Sequence, residues 1–149
     1  AIYVTNNAGK VLLLERNNQP FIGWYGLPAG LIHQGEHMER AARRELLEKV
    51  SIRNARPQFC GVLDFRYIEK RSNDLFVHTV AFIYTYQLPT SGKQLAGHTT
   101  RYGKLIWSDM TDKRILPEVH DMVKIALLSN HDLKSIDYPE PTKLIWSDD

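Results

Sequence analysis

The chain predicts an α/β fold in which strands are covered by helices, and three observations predict it. Strand-like apolar runs alternate with two segments of helical period. The longest strand pair, residues 58–68 and 74–88, is rich in Val, Phe, Tyr and Ile on both faces, as a central strand covered from both sides requires. The 149 residues are 43% apolar and 24% charged, enough for one domain with a self-sufficient core.

Residues 2–4 and 10–15 read as strands around an Asn-Asn-Ala-Gly turn, because 11–14 is a continuous apolar run and Asn7, Ala8 and Gly9 carry turn chemistry. Residues 21–28 form an aromatic, Gly-punctuated loop. A helix follows over 36–50, with Glu36 and Glu39 near its positive end. The polar stretch EKRSND separates 58–68 from 74–88, which predicts a long antiparallel hairpin. In its second strand Leu75, Val77, Thr79, Ala81, Ile83 and Thr85 face one way, and Phe76, His78, Val80, Phe82, Tyr84 and Tyr86 the other. Residues 89–102 read as a loop and 105–107 as a strand. Pro117 suits a helix's first turn, and Val119, Met122, Val123, Ala126 and Leu127 keep helical spacing.

One stretch carries chemistry. From Gly30 the chain runs five residues to Glu36, seven more to Arg44-Glu45, then Leu46, Glu48, Lys49, Ser51 and Ile52. Flanking it are TNNAGKVLLLER at 5–16, GWYGLPAG at 23–30, and KLIWSD at 104–109. This text resembles the Nudix hydrolases: Gly30, Glu36, Arg44, Glu45, Leu46, Glu48 and Ile52 fit seven of the nine defining positions, while Lys49 replaces the second Glu of a pair and Ser51 the closing Gly. With the element order, the resemblance implies an α/β/α sandwich with a mixed central sheet, a Nudix domain over 1–128 and a C-terminal extension over 129–149 packed on the domain or at an oligomer interface.

Side chains three and four apart share a helix face, so Glu45, Glu48 and position 49 project together. Carboxylates so grouped suit a hard divalent cation such as Mg²⁺, which takes oxygen ligands and commonly adds substrate phosphates. The resemblance implies hydrolysis of a nucleoside diphosphate linked to another moiety. Glu45, Glu48 and Arg44 form its catalytic set. Glu45, Glu48 and the Ala29 carbonyl would hold Mg²⁺, with Mn²⁺ as substitute. Gly30 and Glu36 are structural, and Arg16, Trp24, Tyr25 and Lys49 face the nucleotide-type substrate. Arg44 orients the motif through a carboxylate, Glu48 or Glu36.

Lys49 alters this chemistry. A dication and an ammonium about 4 Å apart repel by on the order of 8 kcal/mol at an effective dielectric of about 20. Two readings compete: Lys49 stands in for the metal and binds phosphate, leaving a nucleotide or ADP-ribose binding module of impaired activity, or it snorkels to solvent and Mg²⁺ is still held. Residues 94–102, where the family often adds a carboxylate, contain no Asp or Glu; Asp109, Asp112 and Glu118 are weak substitutes. Phe21 beside Trp24 and Tyr25 either stacks on a base or lids the core. His33 and His37 flank Glu36 and read mainly as surface histidines. Ser51, at a position where glycine commonly closes a helix, predicts strain or another loop shape.

A net charge of +2 without a basic run gives no nucleic-acid bias. The single Cys60 excludes an intrachain disulfide, fits a reducing compartment and reads as a core thiol. With no apolar run of membrane-spanning length and no secretory leader, the expected location is the cytoplasm. The start at Ala1 predicts a longer native N-terminus. Residues 143–148 repeat KLIWSD, either by chance or as a strand at a sheet edge of the same subunit or a partner, which would make a homodimer.

Overall fold

The computed structural model describes residues 1–19, 21–68, 75–89, 95, 97–128 and 133–139. Among these, the elements are β1 (Ile2–Thr5), β2 (Val11–Arg16), β3 (Tyr25–Gly26), α1 (Met38–Val50), β4 (Gln58–Ile68), β5 (Leu75–Gln87), β6 (Thr99–Thr100), β7 (Gly103–Ser108), α2 (Pro117–Leu128) and β8 (Leu133–Pro139). One sheet joins the strands in the order β6-β7-β2-β1-β5-β4-β8, with β3 pairing β2. It is mixed: β1 runs parallel to β5 and β8 parallel to β4, and the other pairings are antiparallel.

Strand alternation divides the core between two helices. On one side Leu12, Leu14, Ile2 and Val4 meet Ala42, Leu46 and Val50 of α1. On the other, Leu13, Leu63 and Ile83 pack with Val119, Met122, Ile125 and Ala126 of α2. This is the expected sandwich, with two adjustments. α2 buries Ile125 where the spacing argument placed Leu127, which is 67% exposed. The α1 side of β5 is covered only in part: Tyr84 is buried, but Val80 is 52% exposed and His78 pairs at the surface with Asp64. Thirteen residues of α1 do not reach across the β4–β8 edge, where Arg66 clamps Asp137 at 2.8 and 2.9 Å and Asp64 is met by His78 and by the Ser135 hydroxyl.

The ends of α1 are informative. Gly35 takes a positive φ of 75°, and the helix starts at Met38, two residues after the expected Glu36. Ser51 closes it in the left-handed region at φ 59° and ψ 28°, its N–H donating to Leu47 O and that of Ile52 to Leu46 O. Of the two outcomes foreseen for Ser51, this is the strained one, at about 1 kcal/mol for a residue with a Cβ. Two short elements, β3 inside the aromatic loop and β6 before β7, escaped the sequence reading, while β8 places an edge strand of the same chain in the C-terminal segment, beside β4 and at residues 133–139, ahead of 143–148. The second KLIWSD lies outside the described residues.

Candidate functional site

The Gly30–Glu36 loop and the inner face of α1 build a charged network. Arg44 lies at its hub. Nε and one terminal nitrogen donate to the two Glu36 oxygens at 2.9 Å each, that same terminal nitrogen donates to the Leu31 carbonyl at 2.8 Å, and the other reaches Glu45 Oε1 at 2.5 Å. The forked guanidinium suits this bidentate grip. Of the two partners weighed for Arg44, Glu36 is the close one; Glu48 is 3.7 Å away. Glu36 also accepts the His33 N–H, and with Arg44 as the larger cause its carboxyl is held down to about 2. The loop is thereby strapped to the helix.

Glu45 is 5% exposed. A Cβ on Gly30 would fall on its carboxylate, so glycine at that position lets the loop backbone close over the acid. Glu45 Oε2, which has no hydrogen-bond donor, faces Lys49 Nζ at 3.1 Å. Nζ also donates to the Ala29 carbonyl. The ammonium therefore sits between two of the three groups expected to hold a metal. Glu48 points elsewhere: it is 35% exposed and accepts a hydrogen bond from the Tyr102 hydroxyl at 3.3 Å.

These residues, as placed, do not fit a divalent ion. The position between Glu45 and Ala29 is taken by a positive charge, and among the described residues no three His, Cys, Asp or Glu side chains are grouped to hold a metal. Of the two readings of Lys49, the side chain follows the one that keeps its ammonium inside.

Beside the network opens a cavity of about 710 Å³, with Lys49, Glu45 and Ala29 in one part of its wall and Arg16, Tyr67 and Glu118 in another. Glu118, in the first turn of α2, is 7% exposed and accepts a hydrogen bond from the Tyr67 hydroxyl. Burial pushes the Glu118 carboxyl above its ordinary range, with the Tyr67 hydrogen bond and the Arg16 charge opposing. Burial likewise lowers Arg16, opposed by Glu118 and then Tyr67. Arg16, expected near the phosphates, thus lines the cavity within the field of Glu118.

Other expected substrate contacts lie apart. Tyr25 is buried, hydrogen-bonded by Arg114 at 2.7 Å and covered by its guanidinium 4.6 Å from the ring centroid. Trp24 packs half-buried on the α2-side core, and neither lines the cavity. Their aromatic character serves packing here. Phe21 is buried and does line it. His33 and His37 are exposed, while Asp109 and Asp112 cap turns through Thr111 and Arg114. Cys60 is buried, as expected.

Tyr102, like Tyr67, is a group the sequence reading missed. It lies in a stretch read as loop and reaches the C-terminal end of α1 only through long-range pairing, which local pattern does not encode.

Comparisons with known proteins agree with this architecture. The family model described as NUDIX domain matches residues 1–122. The chain is 32% identical over 108 residues to the uncharacterized Nudix hydrolase YvcI of Bacillus subtilis (strain 168), 72% of this chain and 63% of that protein. It is 42% identical over 43 residues to an ADP-ribose pyrophosphatase of Methanocaldococcus jannaschii, 29% of this chain and 25% of the relative. It therefore spans less than two thirds of the length of either. Among solved structures, the MutT protein from Bacillus halodurans superposes with a TM-score of 0.65 at 20% identity, covering 97% of this chain and 91% of that one. The NUDIX domain of Shewanella oneidensis NrtR, complexed with ADP ribose, gives 0.64 at 21% identity over 83% and 81%. At these identities the two structures speak for the fold. No helix among the described residues is long and apolar enough to cross a membrane.

Proposed function

The chain belongs to the Nudix family, and we propose that it binds the diphosphate of a nucleoside diphosphate derivative at the α1 end of its cavity, with the Lys49 ammonium as the resident cation and hydrolysis correspondingly impaired. The observation that carries this reading is the placement of Lys49 Nζ between Glu45 Oε2 and the Ala29 carbonyl. An ammonium has three N–H donors. One is donated to the Ala29 carbonyl while Glu45 Oε2 pairs with the charge at 3.1 Å, which leaves donor capacity for a ligand anion. Glu45 fixes the ammonium, Arg44 fixes Glu45, and Glu36 fixes Arg44, so the donor is held in place before the ligand arrives. Arg16 adds a second cation to the wall of the same cavity.

ADP-ribose is the first ligand to try, since a fold neighbour carries it and a relative is named for its cleavage. Calorimetry with ADP-ribose in EDTA and in Mg²⁺ tests the reading. Binding in EDTA that weakens with salt is expected, and Lys49→Glu should weaken it at least tenfold there. Binding that occurs only with Mg²⁺ would overturn it.

A second reading, Mg²⁺-dependent pyrophosphohydrolysis of the same substrate class, is favoured by one observation: Glu48 is part-exposed and outside the ammonium's cradle. The family generally uses divalent metals. Turnover of ADP-ribose in Mg²⁺, lost in Glu48→Gln and raised in Lys49→Glu, would establish that reading. The cytoplasm is the proposed location, and a homodimer built through the C-terminal segment is checked by sedimentation with and without residues 131–149.

A further inference from the structure

We propose that Tyr102 is a positioning residue that keeps lysine in the cation position, by covering the Lys49 ammonium and drawing the Glu48 carboxylate away from it. The inference rests on Lys49 being the resident cation, as proposed above. The phenol ring lies 5.1 Å from Lys49 Nζ, within cation–π range, and its other cationic neighbour, Arg101 Cζ, is 4.7 Å from the centroid. The hydroxyl donates to Glu48 Oε2 at 3.3 Å and accepts from the Arg101 guanidinium. One side chain thus contacts both residues that decide whether the site can admit a metal. Glu48 stands three residues from Glu45 on the same helix, and without the hydroxyl its Oε2 keeps only the longer 3.7 Å pairing with Arg44 against a turn toward the Glu45 side.

The turn that presents Tyr102 is built to hold still. Asn17 donates to the Arg101 carbonyl at 2.9 Å, and the Tyr102 N–H donates to Thr100 Oγ1 at 3.2 Å. Gly103, at φ 137°, lies so close to the end of β2 that a Cβ there would collide with the Glu15 carbonyl. The ring is therefore held over the helix end by its backbone, independently of the cations it touches. Residues 94–102 contain no acid to offer a metal. They contribute instead an aromatic that retains the lysine.

The test uses two variants and no nucleotide. Limited acetylation followed by peptide mass spectrometry gives the reaction rate of the Lys49 amine relative to exposed Lys10. In Tyr102→Leu that ratio should rise about three- to tenfold, the Boltzmann factor of one lost exposed cation–π contact plus closer solvent approach. In Tyr102→Phe the ring is retained and the ratio should stay near the parent's. Mn²⁺ titration followed by electron paramagnetic resonance then reads the Glu48 tether: affinity should rise at least threefold in both variants. A Tyr102→Leu ratio within twofold of the parent would overturn the inference, as would unchanged Mn²⁺ affinity in Tyr102→Phe. The phenylalanine variant decides the question alone if the leucine variant does not fold. Failure of ADP-ribose to bind would end the preceding proposal without touching either readout.

Discussion

Two buried glutamates line the same cavity and are stabilised in opposite ways. Glu45, on α1, is matched by Arg44 at 2.5 Å and Lys49 at 3.1 Å. Glu118, on α2, has a phenol as its hydrogen-bond donor, and burial pushes its carboxyl up. Paired cations hold charge in a dry place, whereas a neutral donor leaves a carboxyl favouring its proton. The cavity therefore has an ion wall, where paired cations hold Glu45, and a second wall, where a phenol is the donor to Glu118 and the Arg16 charge acts on it as well.

Substitutions at each wall can break or sharpen this contrast. Lys49→Met should have the largest effect, about 3 kcal/mol of stability lost in urea unfolding, because it strands a buried carboxylate oxygen. Gly30→Ala follows at about 2 kcal/mol, since its Cβ competes with the Glu45 carboxylate for one space; it should also abolish ligand binding. At the other wall, Tyr67→Phe removes the Glu118 donor and should cost about 1.5 kcal/mol. Equal losses in Tyr67→Phe and Lys49→Met would erase the distinction.

The pH profile separates the two sides further. Glu36, held near 2 by Arg44, contributes stability that is present above 4.5 and lost as pH falls from 4.5 toward 2. Glu118 has the opposite sign: its folded pKa lies above the unfolded 4.5, so stability declines as pH rises from 4.5 through the folded value. Thermal unfolding from pH 2.5 to 8 should show Glu36→Gln losing the acid-side slope and Glu118→Gln losing the decline above 4.5. The smallest effect lies outside the cavity. Ser51→Gly should add about 1 kcal/mol by relieving the left-handed backbone at the end of α1.

The ion wall was the legible one. Gly30, Glu36, Arg44, Glu45 and Lys49 lie in one stretch whose geometry follows from helix periodicity and a short loop, so the pairing of Glu45 with Lys49 could be anticipated from their spacing of four. The wall around Glu118 could not. Arg16, Tyr67 and Glu118 come from β2, β4 and α2, and their meeting depends on sheet order, which no local pattern states. Tyr102 was hidden for the same reason. Trp24 and Tyr25 show a different limit: an aromatic suited to stacking on a base is equally suited to packing, and no local pattern announces that Arg114 lies over Tyr25. The strand alternation of β4 and β5 correctly placed β5 inside the sheet, but it carries no measure of how far α1 extends, so the exposure of Val80 was not foreseen.

The register of β1 bears on how the protein is made. Ile2 pairs with Tyr84 and Thr5 with Gln87, whereas β1 meets β2 only at Thr5 and Val11. On the ribosome, β1 must wait for β5 to be synthesised before its main partner exists, and β4, although β5 follows it directly, waits in the same way for β8. Parallel pairings between such distant segments bring a large loop-closure cost and slow assembly. Until then the apolar strands β1 and β2 have α1 as their nearest shelter, so a nascent chain halted after Val50 is the species in which chaperone capture should be strongest.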